Sequence, residues 1–352
     1  MKEVLRYAPG IKRELHAAID ARQTGSRADS PWEDDFLQRL GVFAAKGKLL
    51  RGSLTCFAYE KFSGTPPSKP VLQTAAALEL VHSALLIHDD IMDNDDLRRG
   101  QPSLHNQYQA AAKDKKLSEP ARFGINMALA GGDMAFFLAF DLLATLDLEA
   151  RKLATIKKMF VDQLVVVCAG QMQDVYFDAN LKLPPKREIY KLMEEKTASY
   201  TIALPLLLGA TLAGANKATL RQLSHLGVAA GTVFQIRDDE LGLMGTTDKI
   251  GKPVGSDIAE GKKTLLYYYL FRRCNSAERK QLLSLFGSAH ITDSDIAYLQ
   301  QLVRKRGVLQ LLQADVDRLT RQAYHAIALL PLSAKTKEEL HELVVFCAQR
   351  QA

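Results

Sequence analysis

The chain has 352 residues, 47% hydrophobic and 24% charged, an ordinary globular composition with ample material for a large core. Its net charge of +6 is spread along the length, with no basic block interleaved with aromatics, so nucleic acid is not an expected partner. The cysteines Cys56, Cys168, Cys274 and Cys347 are far apart and lack metal-type spacing, which suits thiols in a reducing, cytoplasmic compartment.

In chain order, the opening MKEVLRYAPGIKREL alternates charged and apolar residues without the continuous apolar segment of an export signal. Residues 1–30 are expected to form an N-terminal helix and loop extension. Beyond them Ala, Leu, Gln, Lys and Glu dominate, with apolar residues three and four apart. This pattern predicts helices near 34–45, 50–62, 71–97, 121–146, 149–178, 186–213, 217–242, 263–273, 276–286, 293–304, 309–328 and 334–350. The segments GTPPSKP, RRGQP, LPPKR and GTTDKIGKPVGSD concentrate Gly and Pro and read as loops. A membrane span needs about 20 mostly apolar residues. Residues 71–91 contain Gln73, Glu79, His82 and His88, and residues 201–215 are short and hold Pro205, so both read as buried helices. No repeat or long polar linker appears, and one all-α domain, a helical bundle over residues 1–352, is expected.

The helix predicted over 71–97 ends in HDDIMDNDDLRRGQ, with five aspartates in eight positions followed by two arginines. On a helix Asp89 and Asp93 share a face, with Asp90 about a third of a turn aside. Such a pair can bridge hard divalent cations, since Mg²⁺ takes one or two carboxylates plus substrate phosphates and water. Alone, the run would read as a solvated acidic helix end. A second pair, Asp238 and Asp239, closes another apolar helix in GTVFQIRDDELGLMG. Two such pairs suit a site in which facing helices hold metals, and together they favour metal binding. KGKLLRG places Lys48 and Arg51 three apart on a predicted helical face. Arg98 and Arg99 follow the first cluster, Lys196 lies in EEKTASY, and Lys252 and Lys262 flank GKPVGSDIAEGKK. Each cation alone reads as a solvated surface charge. A diphosphate fits the combination, because its oxygens ligate Mg²⁺ and accept from Arg and Lys.

These motifs resemble, in order, those of the trans-isoprenyl diphosphate synthases, the all-E prenyltransferases. DDIMD with LRRGQP is similar to the first aspartate-rich motif, and FQIRDDELG to the second. GKLLR resembles the GKxxR segment that binds isopentenyl diphosphate, and KT at 196–197 and GSDIAEGKKT at 255–264 also match. The likeness spans about residues 40–270. It implies the isoprenoid-synthase bundle, with an active-site cavity between core helices. It also implies Mg²⁺-dependent 1′-4 condensation of isopentenyl diphosphate with an allylic diphosphate, and a homodimer. By position it makes Asp89 and Asp93 ligands of two metals and Asp238 of a third, with Asp90 and Asp239 supporting. Arg98, Lys196 and Lys252 would hold the allylic diphosphate with Thr197, Gln235 and Lys262. Lys48, Arg51, His82 and Arg99 would hold isopentenyl diphosphate, while Gln171 and Asp174 match a pair lining the allylic site. Taken alone, His82 would read as a satisfied core histidine, and Gln171 and Asp174 as a solvated polar stripe. There are two departures. Gly242 stands where many members carry a third aspartate, and KGKLLRG lacks the usual doubled glycine and the proline after arginine.

Product length in the family depends on residues about one turn before the first motif, here Ala84 and Leu85, where farnesyl-forming members carry an aromatic. The motif also lacks the two-residue insertion that shortens products in some members. Small side chains leave room for a twenty-carbon geranylgeranyl product, with a farnesyl or longer product as the alternative. Phe136, Phe137 and Phe140 would form a floor, or plain core packing. A terpene cyclase, an HD-type phosphohydrolase built on His88–Asp89, and a non-catalytic prenyltransferase subunit are the competing expectations. The first has no need of a second diphosphate site, the second leaves Asp238 and Asp239 unexplained, and the third would tolerate loss of the aspartates.

Overall fold

The computed structural model describes residues 1–25, 30–180, 182–245, 254–288 and 290–349. The chain forms two compact units, the first of residues 2–158 with 208–215 and the second of Met1, 159–207 and 216–352.

The first unit opens with α1 (Lys2–Leu5), α2 (Ala8–Gly25), α3 (Pro31–Ala45), α4 (Leu50–Ser63) and α5 (Lys69–Met92). A hairpin of β1 (Leu97–Arg98) and β2 (Gln101–Pro102) follows, then α6 (Leu104–Asp114), α7 (Pro120–Ala144) and the start of α8 (Ala150–Ala179). Pro70 and Pro120 sit in the first turns of α5 and α7, where a missing N–H costs no helical bond. Ala75, Ala76, Ala77, Leu78, Leu80, Val81, Ala84 and Ile87 place α5 in the core. By length and composition α5 and α7 could each cross a membrane. In α5, however, 67% of the most apolar window is buried within the structure, as expected of a core helix.

α5 stops at Met92 rather than near residue 97, because Asn94 adopts a left-handed φ of 52° and the chain then reverses. The reversal pairs Leu97 with Pro102 and Arg98 with Gln101. Its two central residues, Arg99 and Gly100, have φ of 53° and 69°, the positive values of a type I′ hairpin turn. α6 was not expected, since its sequence follows directly on the Gly/Pro signal of RRGQP.

The second unit takes the remainder of α8, then α9 (Lys186–Met193), a π-helical segment (Glu194–Ala203), the start of α10 (Leu204–Leu212) and α11 (Lys217–Met244). It closes with α12 (Ser256–Ala259), α13 (Leu265–Arg273), α14 (Ser276–Leu285), α15 (Asp293–Lys305), α16 (Val308–Ala328) and α17 (Ala334–Ala348). Asn216 caps α11 by accepting from the Thr219 N–H, and Thr264 caps α13 likewise at Tyr267. The helix predicted over 186–213 is interrupted by the π-helical segment, which carries Lys196 and Thr197. Such wide turns recur at functional sites. α8 packs tightly on this segment through Gly170, where a Cβ would meet the Lys196 backbone nitrogen at 2.9 Å.

Candidate functional site

At the end of α5 the Asp93 N–H donates to the Asp89 carbonyl at 2.8 Å, so helical geometry persists and the two carboxylates lie one turn apart on a shared face. Asp90 is wholly buried, and its Oδ1 accepts from Arg98 Nε at 2.5 Å. The same guanidinium bonds Asp95 Oδ2 at 2.9 Å and lies 3.7 Å from Asp89 Oδ2. Burial pushes the Asp90 carboxyl up to about 7 despite the opposing pull of Arg98. Its Oδ2 is buried without a hydrogen-bond partner. The hairpin turn produces this arrangement by folding Arg98 back onto α5. Arg98, expected on a substrate phosphate, is thus engaged by three acidic side chains.

The turn sends Arg99 elsewhere. Its Nη1 donates to the Phe43 carbonyl at 3.0 Å and its guanidinium lies 5.6 Å from the Phe43 ring centroid. Glu79, buried on α5, accepts from the Gly52 N–H at 2.8 Å at the first turn of α4. Burial raises the Glu79 carboxyl, opposed by that N–H and by the charges of Arg51 and Arg99. His82 is held well below the usual imidazole range by burial, then by Arg51, Arg99 and Arg98. It is therefore a neutral imidazole among cations.

Lys48 and Arg51 do not share a helical face, because α4 begins only at Leu50 and Leu49 adopts a left-handed φ of 50°. Lys48 projects as an exposed loop residue instead. Lower on α5, Ala84 is fully buried and Leu85 half-buried. Phe136 lies against the His88 ring with centroids 5.8 Å apart, and Phe140 is half-buried. Phe137 does not fit the expected floor. It is 72% exposed, because it falls on the α7 face that also presents Ile125 and Leu129.

In the second unit, α11 carries Gln235, Asp238 and Asp239. Gln235 Nε2 donates to Asp239 Oδ1 at 2.7 Å, the i,i+4 reach of a helix. The Asp239 carboxyl is raised well above its ordinary value by burial first and the Asp257 carboxylate second. Arg237, between them in sequence, turns away and donates to the Ala348 carbonyl at 2.8 Å. On α8, Asp174 is buried and pairs with Lys196 Nζ at 2.5 Å. One turn on, burial and the Asp174 charge push the Asp178 carboxyl up to about 7, countered by Lys262, Lys263 and Lys196. Lys262 pairs with Glu260 at 2.5 Å. Gln171 and Thr197 are half-buried. Lys252 lies outside the described residues.

Glu79, Asp95, Asp178, Asp257 and Lys263 were not singled out from sequence. Glu79 carried a usable signal, as an acid inside an apolar run whose burial demands partners. Among the described residues no three Asp, Glu, His or Cys side chains form a ready-made metal cage. Carboxylate pairs that share a cation with water and phosphate oxygens need no such cage.

Buried acidic helix ends, each with its own group of Arg or Lys, define a helical protein that handles polyanions together with hard cations. The chain belongs to the polyprenyl synthetase family, whose profile matches residues 37–303. It is 32% identical over 342 residues to a short chain isoprenyl diphosphate synthase of Methanothermobacter thermautotrophicus, covering 97% of this chain and 98% of that one. It is 30% identical over 313 residues to a geranylgeranyl diphosphate synthase of Saccharolobus solfataricus, covering 88% of each. Among solved structures, geranylgeranyl pyrophosphate synthase of Corynebacterium glutamicum, complexed with isoprenyl diphosphate and magnesium, matches with a TM-score of 0.92 and 28% identity, over 98% of this chain and 99% of that one.

Proposed function

We propose that this protein condenses isopentenyl diphosphate head to tail with an allylic diphosphate, releasing a short-chain all-E prenyl diphosphate, most simply the twenty-carbon geranylgeranyl product. The observation that carries this lies within the first unit. An acidic helix end (Asp89, Asp93) coexists there with separate cations (Arg51, Arg99) around a neutral His82. One is suited to an anion held through metal and the other to an anion held directly, as two diphosphate substrates require. A cyclase, with one diphosphate, has no use for the second group.

The oxygen-only donors and the unpartnered, buried Asp90 Oδ2 fit Mg²⁺. Asp89 and Asp93 would hold two ions and Asp238 a third, with Asp90 and Asp239 as supports. When bound, Mg²⁺ supplies Lewis-acid stabilisation of the departing diphosphate. Lys196, Thr197, Gln235, Lys252 and Lys262 hold the allylic diphosphate, and Gln171 and Asp174 line its site. Arg98 acts mainly by fixing Asp89 and Asp90. Lys48, Arg51, His82 and Arg99 hold isopentenyl diphosphate, aiming its double bond at the allylic carbon as the C–O bond breaks. The proton then lost leaves with the diphosphate. These side chains act by position and charge.

The whole chain is taken as one catalytic domain, working in the cytoplasm as a homodimer. Exposed apolar residues on α7 (Phe137 72%) and on α8 (Met172 75%, Val165 65%) support a second copy as the partner. Incubation with Mg²⁺, isopentenyl diphosphate and each of dimethylallyl, geranyl and farnesyl diphosphate, followed by mass spectrometry, tests the activity. A twenty-carbon diphosphate is the expected product. Cyclic hydrocarbon from a single allylic substrate, or no elongation at all, would overturn it.

A further inference from the structure

Away from the acidic end of α11, the second unit holds a solvent-open cavity of about 560 Å³ between α11 and α16. Arg237 bonds Gln313 near one end of this helix pair, and residues 222–229 face residues 319–326 near the other, so the two helices run antiparallel. His225 lies well upstream of Asp238 on the same helix. At 1.5 Å of rise per residue the cavity is about 20 Å along α11 from the acidic pair. It exists because small residues meet there. Ala229 and Ala326 are buried and line it, with Leu319 and Val228 beside them. Longer polar side chains stand around this apolar base, Gln222, Ser224 and His225 from α11 and Arg321, Gln322 and His325 from α16. Glu194, the first residue of the π-helical segment, completes the ring.

Small-molecule sites are concavities of roughly 300–1,000 Å³ with an apolar lining and a few convergent polar groups, and this cavity has each of those features. Among the described residues, none of the polar side chains around it is engaged in a side-chain hydrogen bond or ion pair. The Arg321 guanidinium offers a fork of donors matched to phosphate oxygens, and the two imidazoles can add donors beside it. Glu194 only accepts, and it repels a bare anion. A ligand that satisfies the whole ring therefore carries hydroxyl groups as well as negative charge. Gln222 and Gln322 each present a donor and an acceptor to such hydroxyls. We propose that this cavity binds a phosphate ester of a hydroxylated skeleton, a sugar phosphate or a nucleoside monophosphate, at a place separate from the acidic end of α11.

The test is calorimetric titration of the full-length protein in EDTA, which keeps metal–phosphate complexes from the aspartates. The probes are ribose 5-phosphate, adenosine 5′-monophosphate, unphosphorylated ribose and inorganic phosphate. Saturable binding of at least one ester is expected, about tenfold or more tighter than ribose and than inorganic phosphate. Tighter binding of the adenosine ester marks a nucleotide site, and tighter binding of the ribose ester a sugar-phosphate site. Arg321→Gln should weaken the ester about tenfold or more, and R321Q/H325Q should abolish its binding. Both side chains are exposed, so these variants keep the fold, which circular dichroism verifies. Lys280→Gln removes an exposed cation that does not line the cavity and should change nothing. Asp238→Ala should likewise leave ester binding intact, whatever it does to turnover. No saturable binding of either ester, equal affinity for ribose or inorganic phosphate, or equal losses in R321Q and K280Q would each overturn the proposal. So would loss of ester binding in D238A with parental affinity in R321Q, which would place the ester at the acidic end of α11.

Discussion

At the end of α5 the buried carboxylate of Asp90 is gripped by Arg98, which also holds Asp95 and reaches toward Asp89. At the end of α11 the carboxylate of Asp239 meets the amide of Gln235, while the charges of Asp257 and Asp238 push its pKa further up. The same motif chemistry, an acidic pair closing a buried helix, thus arrives in two electrostatic states. The first cluster has an internal cation that sets its geometry in advance. The second has no such guanidinium on Asp239, whose carboxyl is held instead by an amide and raised by burial and by neighbouring carboxylates. Burial costs a carboxylate so much that this difference shapes stability as well as binding.

The largest expected effect breaks both clusters at their outer members. Asp89→Ala and Asp238→Ala should each lower kcat about 100- to 1000-fold, the scale for removing one preorganised transition-state contact. Steady-state assays with isopentenyl and farnesyl diphosphates check this, and near-normal turnover in either would remove that cluster from the mechanism. A sharper contrast lies in the metal-free protein. Arg98→Ala strands Asp90 and should cost about 3 kcal/mol in urea unfolding. Asp239→Asn removes a buried carboxyl that its acidic neighbours disfavour and should shift the urea midpoint upward. Shifts of the same sign would show that the two ends do not differ as described.

A smaller effect follows from pH. Burial pushes the Asp90 and Asp178 carboxyls up to about 7 in the native state from an ordinary 3.8, so the folded protein holds these protons more tightly than the unfolded chain. Their contribution to stability is complete below 3.8 and is lost as pH rises through about 7. The urea midpoint of the metal-free protein should therefore fall between about pH 5 and about pH 7.5, and Arg98→Ala should steepen the fall. A rising midpoint would contradict the assignment. The smallest change concerns only the first unit. Ala84→Phe should shift the product from twenty toward fifteen carbons, with little effect on Mg²⁺–pyrophosphate binding at the second cluster. An unchanged product distribution would show that Ala84 does not border the growing chain.

Much of this was legible in the sequence because it is local. The i,i+4 pairing of Asp89 and Asp93 and the apolar periodicity of α5 follow from helix geometry, and the Gly/Pro punctuation marked the loops. The ordered motifs sufficed to place the family. Failures came where a residue's role depends on one dihedral or a distant partner. Leu49, left-handed, removes Lys48 from the helix, and Asn94 ends α5 early. Phe137 looked like core because hydropathy carries no direction, and periodicity alone does not say which side of α7 is covered.

The sequence by itself determined the helices, the two acidic ends and the chemistry they share, since each depends on residues within a few positions of one another. Tertiary structure alone decided which carboxylate is paired: Arg98 reaches Asp90 only through a hairpin, and Asp257 stands beside Gly242 only because its loop returns to α11. The physical reason is the strength of electrostatics at low dielectric. There a few ångströms set whether a charge is satisfied or must wait for a cation, and those distances depend on how the chain folds back on itself.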